Sequence, residues 1–312
     1  MIMNNSNINA PEYFSYPREL ENYKKFKPLL TAFVTLLLTL IFEIVLFGVA
    51  CVLTVISGAD LASFTNSFRG YDTMDNYSAI GALVSMGSIS VLIPALFLAM
   101  KITKERPVHT LTSTRGGWNK GFFMKGVLIG LVVNGIPQLI IAAFEGGFSH
   151  INIRYTLPGF IIFALLVPFQ CSAEEYIFRG FIGQTVGSWF KKPVVAIVVS
   201  TILFMILHGY NGLGQSAVFV SGVVFCLVAG YTKGLEVGCA FHFVNNFFAF
   251  LLSGLGVSAV SSQTKMSGMI EDILINVAMF AAVIFMDKKM NWFKLDAPAE
   301  DKEKAEEENV AS

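Results

Sequence analysis

The sequence is poor in charge, in paired cysteines and in histidine. Only 14% of its 312 residues are charged, and its 22 basic and 22 acidic side chains cancel. A balanced chain lacks the field that draws nucleic acid or acidic substrates, so no nucleic-acid partner is expected. The four cysteines, Cys51, Cys171, Cys226 and Cys239, form neither a CxxC pair nor a zinc-type spacing, which argues against a disulfide framework. The first 27 residues contain no apolar core of signal-peptide length. No cleavable leader is therefore expected, and the first apolar block should persist as an anchor. No inverted internal repeat of the transporter kind is visible.

Apolar residues are abundant: 54% of the chain is hydrophobic, mean hydropathy is +0.63, and the apolar residues come in long blocks. That pattern predicts an all-α, polytopic membrane protein of about eight transmembrane helices. The expected spans are 29–56, 78–100, 122–143, one starting near 157, then 194–208, 216–231, 235–252 and 270–286. Residues 1–27 read as a cytoplasmic N-terminal segment. Residues 28–120 hold the first two spans and a basic loop with Lys101, Lys104, Arg106, Arg115 and Lys120. With the N-terminus inside, the outer loops would carry only Arg69, Arg154 and Lys265. The positive-inside rule and an even span count then predict a multi-pass cell-membrane protein with both termini cytoplasmic. The acidic tail, 291–312, is too polar to bury and is expected to be disordered.

Ionisable groups at membrane depth are costly and mark functional sites. The run Glu174-Glu175-Tyr176-Ile177-Phe178-Arg179 follows directly on an apolar segment, and His208, His242 and Asn246 lie within or at the ends of two further ones. Adjacent helical residues point about 100° apart, so Glu174 and Glu175 must face different surroundings. Glu175 and Arg179 have the i,i+4 spacing of a helical ion pair, which leaves Glu174 to face the bundle. Around the Lys191-Lys192-Pro193 turn, Glu174 lies 17 residues before Lys191 and His208 lies 17 residues after it. The two side chains should meet at similar depth in an antiparallel hairpin. His242 and Asn246, again i,i+4, share a helix face. Two imidazoles, an amide and a carboxylate can deprotonate a water and polarise a carbonyl. Glu174, His208 and His242 could equally hold zinc or another divalent metal, and spacing leaves both chemistries open.

Glu174-Glu175-x-x-x-Arg179, Phe204-x-x-x-His208 and His242-x-x-x-Asn246 together resemble the three motifs of the CPBP family. That family comprises CAAX proteases, bacteriocin-processing enzymes and ABI proteins, and includes the eukaryotic type II CAAX prenyl endopeptidases. The motifs occur in order within 157–250 and assign 121–290 as the protease core. The resemblance implies an eight-helix intramembrane glutamate protease with a polar cavity and no metal cofactor. Glu174 would be the general base, with His208 orienting the water and His242 and Asn246 forming an oxyanion hole. Glu175, Arg179 and Phe204 would support the motif. The implied substrate is a membrane-associated or lipidated peptide or protein, and the lipid bilayer is its other partner. A non-catalytic scaffold or bacteriocin-immunity factor is the alternative function, and a transporter the second. Nothing in the sequence sets the oligomeric state.

Overall fold

The computed structural model describes residues 10–67, 75–258 and 262–294. The tail expected to be disordered falls largely on 295–312, and Arg69 on 68–74; both stretches lie outside the described residues.

Eight apolar helices form the described chain: α1 (Lys27–Ile56), α2 (Ala79–Thr103), α3 (Lys120–Phe144), α4 (Leu157–Phe190), α5 (Pro193–Ile206), α6 (Gly212–Thr232), α7 (Glu236–Gly254) and α8 (Met266–Met290). Seven are long and apolar enough to cross a bilayer, so the protein is an all-α, multi-pass membrane protein. The fifth expected span needs correction. Helix α5 has 14 residues, about 21 Å at 1.5 Å per residue, against the roughly 20 residues a full crossing takes. It stops at Ile206, and the chain turns through His208, Gly209 and Tyr210 to Asn211, whose side chain caps α6 by accepting from the Gly214 amide.

Helices α2, α4 and α6 begin in the same way, with Ser78, Thr156 and Asn211 satisfying an otherwise orphaned amide three residues on. Their far ends are also alike. Helices α2, α4, α6 and α8 each stop at a left-handed residue, Lys104, Lys191, Lys233 and Asn291, with φ of 50°, 56°, 60° and 52°. A lysine there puts a cation at the negative end of the helix dipole.

These stops all lie at one end of the bundle, together with the starts of α1, α3, α5 and α7. Lys27 Nζ donates to the Lys104 carbonyl at 2.6 Å, and Trp189 Nε1 donates to the Lys25 carbonyl at 2.5 Å. Arg115 pairs with Glu236 at 2.5 Å and donates to the Thr232 carbonyl at 3.0 Å. The opposite end is tied by Tyr77 Oη to Ser253 Oγ at 2.6 Å and by Asn211 Nδ2 to the Thr264 carbonyl at 2.9 Å. Among the described residues only Arg154 and Lys265 are basic there, while the first end gathers Lys24, Lys25, Lys104, Arg106, Lys191 and Lys233.

Helix α1 buries Thr31, Thr35, Ala50 and Thr54 on one stripe against α2 and leaves Leu36, Leu40, Ile44 and Val45 exposed, as a lipid-facing helix should. Helices α3 and α7 pack through small residues. A Cβ added at Gly126 would lie 2.8 Å from the Ala240 methyl, and one at Gly130 would lie 3.1 Å from Val244. The polar lead-in before α1 is more structured than its composition suggests. Tyr13 and Phe14 are fully buried among Leu96, Met100, Leu111, Tyr176 and Leu235, and Tyr13 Oη donates to the Leu111 carbonyl at 2.5 Å.

Candidate active site

Helix α4 carries both glutamates. Pro168 sits inside it without an amide to donate, and the regular helix gives way at Tyr176–Gly183 to a π stretch. Such widened turns often accompany functional sites. Glu174 and Glu175 end the regular part and face different neighbours, as their 100° offset requires.

Glu175 is sealed. Arg179 Nη1 donates to its Oε1 at 3.1 Å, and neither side chain is more than 1% exposed. The Arg179 guanidinium lies over Phe204 at 4.2 Å and faces Phe225 at 5.3 Å, so aromatic faces share in holding its charge. Phe204 also touches the His208 ring, with centroids 4.5 Å apart. Gly238 of α7 passes beside Glu175; a Cβ there would lie 3.3 Å from its Oε2.

The two histidines converge on Glu174. His242 has Nδ1 3.0 Å from Glu175 Oε1 and Nε2 3.5 Å from Glu174 Oε2. His208, two residues past α5, has Nδ1 2.7 Å from the Phe204 carbonyl and Nε2 4.0 Å from Glu174 Oε2. A carbonyl only accepts, so Nδ1–H of His208 is the donor, and in the neutral ring Nε2 carries a lone pair. Glu174 Oε2 is buried and has no hydrogen-bond partner of its own. Two acceptors therefore face each other across 4.0 Å, a gap that suits a small species donating two protons, as a water does. As for a metal, no group of three His, Cys, Asp or Glu among the described residues is arranged to hold one.

The other carboxylate oxygen is held by a residue the sequence reading missed. Gln170 Nε2 donates to Glu174 Oε1 at 2.6 Å, and Asn246 Nδ2 donates to Gln170 Oε1 at 3.1 Å. Asn246 thus reaches the site through Gln170, although it shares a face with His242. The available signal was position: Gln170 precedes Glu174 by four residues and lies one turn away on the same face.

Access is graded. The Glu174 side chain is 11% exposed and that of His208 25%, so the site is reached from the His208 side. His242 stands six residues into α7 (242 minus 236), about 9 Å from the basic end of that helix. Toward the other end, Phe163, Phe243, Phe247, Phe250 and Tyr155 pack into an aromatic wall between α2, α4 and α7.

The fold and this cluster define a multi-pass membrane protein with a carboxylate–imidazole site inside its helical bundle. Residues 153–248 match the model of the Rce1-like family, described as type II CAAX prenyl endopeptidase, so that segment is similar to this family of membrane proteases. Glu174, Glu175, Arg179, Phe204, His208, His242 and Asn246 all fall inside the matched segment. The chain is also 26% identical over 168 residues to the uncharacterized protein YyaK of Bacillus subtilis (strain 168), over 50% of this chain and 56% of that protein. The match thus spans about half the length of that relative. No solved structure matches the chain.

Proposed function

We propose that the protein is an intramembrane endopeptidase in which Glu174 activates water to cleave a peptide bond near the cytoplasmic membrane face. The observation that carries this reading is the pair of acceptors, Glu174 Oε2 and His208 Nε2, facing each other 4.0 Å apart at the accessible edge of the site. A water between them donates one proton to each and is thereby oriented for attack. Glu174 takes the proton as the water oxygen bonds the substrate carbonyl carbon.

The carbonyl oxygen then carries the negative charge and needs preorganised donors. His242 is anchored by Nδ1 against Glu175 Oε1 at 3.0 Å and turns its Nε2 edge toward the reacting side of Glu174, 3.5 Å from Oε2. Together with the second amide proton of Asn246 it faces the oxyanion. When the tetrahedral intermediate collapses, the C–N bond breaks and Glu174 returns its proton to the departing amine nitrogen. Glu175 and Arg179 hold His242 in register throughout. No metal enters this mechanism. The basic end is assigned to the cytoplasm by the positive-inside rule, with both termini there, and the substrate is a membrane-associated or lipidated peptide or protein.

The test is cleavage of lipid-anchored peptides by the purified protein reconstituted in vesicles. Glu174→Gln should abolish cleavage while the protein still inserts and folds, and full activity in that variant would refute the assignment. Elemental analysis of the same preparation tests the metal. Stoichiometric zinc that is lost in both His208→Ala and His242→Ala would replace the metal-free mechanism with a zinc-dependent one.

A further inference from the structure

Helix α3 lies outside the three motifs, yet it carries two amides aimed at the site, one buried and one half-buried. Asn134 is 1% exposed within the π stretch Leu131–Gly135, and Gln138 stands one turn further on. Gln138 Nε2 donates to Asn134 Oδ1 at 2.6 Å, and Asn134 Nδ2 donates across to Asn245 Oδ1 of α7 at 3.1 Å. Asn245 Nδ2 donates to Asn246 Oδ1 at 3.2 Å, and Asn246 Nδ2 to Gln170 Oε1 at 3.1 Å. The last bond runs from Gln170 Nε2 to Glu174 Oε1 at 2.6 Å. Five amides in sequence each present nitrogen to the next residue's oxygen, and the run ends on a carboxylate.

That terminus fixes the direction. An ionised carboxylate accepts and cannot donate, so Gln170 must turn its NH2 to Glu174 and its carbonyl to Asn246. Asn246 must then turn its own NH2 into the site, and each amide behind it follows. Reversing any one member would set carbonyl against carbonyl and NH2 against NH2. In an apolar bundle such a mismatch leaves buried polar groups unpaired, which is costly. Successive bonds of one sense also polarise each other.

We infer that the amides of Gln138, Asn134, Asn245 and Gln170 are positioning residues for the hydrolytic site: they lock Asn246 with its NH2 toward the substrate oxyanion and hold Glu174 with Oε2 free for water. This inference rests on the protease reading above. It extends the site from the three motifs to α3, and it explains polar residues in a membrane helix that touches neither carboxylate.

The test compares wild type, Gln170→Leu, Asn134→Leu and Gln138→Leu in the reconstituted cleavage assay, with Glu174→Gln as the inactive reference. Gln170→Leu removes a hydrogen bond to a charged group and should lower kcat about 10- to 100-fold with KM little changed. Asn134→Leu removes neutral bonds and should lower kcat about 3- to 10-fold, again with KM held. Gln138→Leu, at the start of the run, should have the smallest effect. An infrared readout is independent of turnover. The Glu174 carboxylate band, isolated by subtracting the Glu174→Gln spectrum, should shift in Gln170→Leu and to a lesser degree in Asn134→Leu. An unmoved band with wild-type kcat in both folded variants would overturn the inference. If wild type itself cleaves nothing, the protease reading fails, and the infrared shift still decides whether the amide run holds Glu174.

Discussion

Replacing Arg179 with methionine tests how the buried Glu175–Arg179 pair holds together inside the bundle. The Arg179 side chain is 0% exposed, and its Nη1 is 3.1 Å from Glu175 Oε1. Its guanidinium also lies 4.2 Å from the Phe204 ring. Removing one partner of a buried ion pair strands the other charge, at a cost of about 3–5 kcal/mol. Glu175→Gln strands Arg179 in the same way. The double variant, Glu175→Gln with Arg179→Met, leaves no uncompensated charge at this position. Its loss of stability should be no larger than that of either single variant, which gives a coupling of at least about 3 kcal/mol in a double-mutant cycle. Equilibrium unfolding in mixed micelles measures all four proteins. Single losses that simply add, within about 0.5 kcal/mol, would show that the pair does not act as a unit and would refute the argument.

Other outcomes follow from the packing. Gly130→Val forces a side chain into Val244, where even a Cβ would lie 3.1 Å away, so α3 must move off α7. A loss of about 1–3 kcal/mol is expected from such overpacking, together with reduced cleavage because Asn134 moves with the helix. Tyr13→Ala empties a fully buried aromatic site beside Leu111 and Tyr176 and should cost about 3–5 kcal/mol by unfolding, an outcome not expected of a polar lead-in. Glu105, in the loop after α2, is pushed above its ordinary carboxyl value of 4.5 by burial, against the pull of Arg106 and Lys27. The folded state therefore holds this proton more tightly than the unfolded chain. Its stabilising effect is full below pH 4.5 and is lost as the pH rises through the higher folded value. Glu105→Gln should flatten that slope in pH-dependent unfolding.

Much of this arrangement was legible in the sequence, because periodicity and spacing survive in long apolar helices. The i,i+4 spacing gave the Glu175–Arg179 pair, and equal distances from the Lys191 turn brought Glu174 and His208 together. The reading of Glu174 as the carboxylate that faces the bundle agrees with its two imidazole neighbours. What spacing did not reveal was who bonds to whom. Asn246 shares a face with His242 but donates to Gln170, because hydrogen bonds are settled by the neighbouring helix and not by the residue's own. Gln170 was hidden as one amide among apolar residues, and nothing in the spacing of Asn134 and Gln138 pointed to the site. Tyr13 and Phe14 were missed for a different reason. Two aromatic residues in a polar stretch have no period, and only the surfaces of α2, α4 and α7 make them core. The length of α5 was also overread, since apolar composition runs on to Leu207 while the helix stops one residue earlier.

The most direct measurement of the central claim compares membrane-associated peptides and protein termini from cells expressing wild type and Glu174→Gln at matched levels. A carboxylate that activates water predicts that a specific set of new termini appears with wild type and is absent with the variant. Identical termini in the two, alongside a phenotype on deleting the protein, would contradict the account and favour a non-catalytic membrane scaffold.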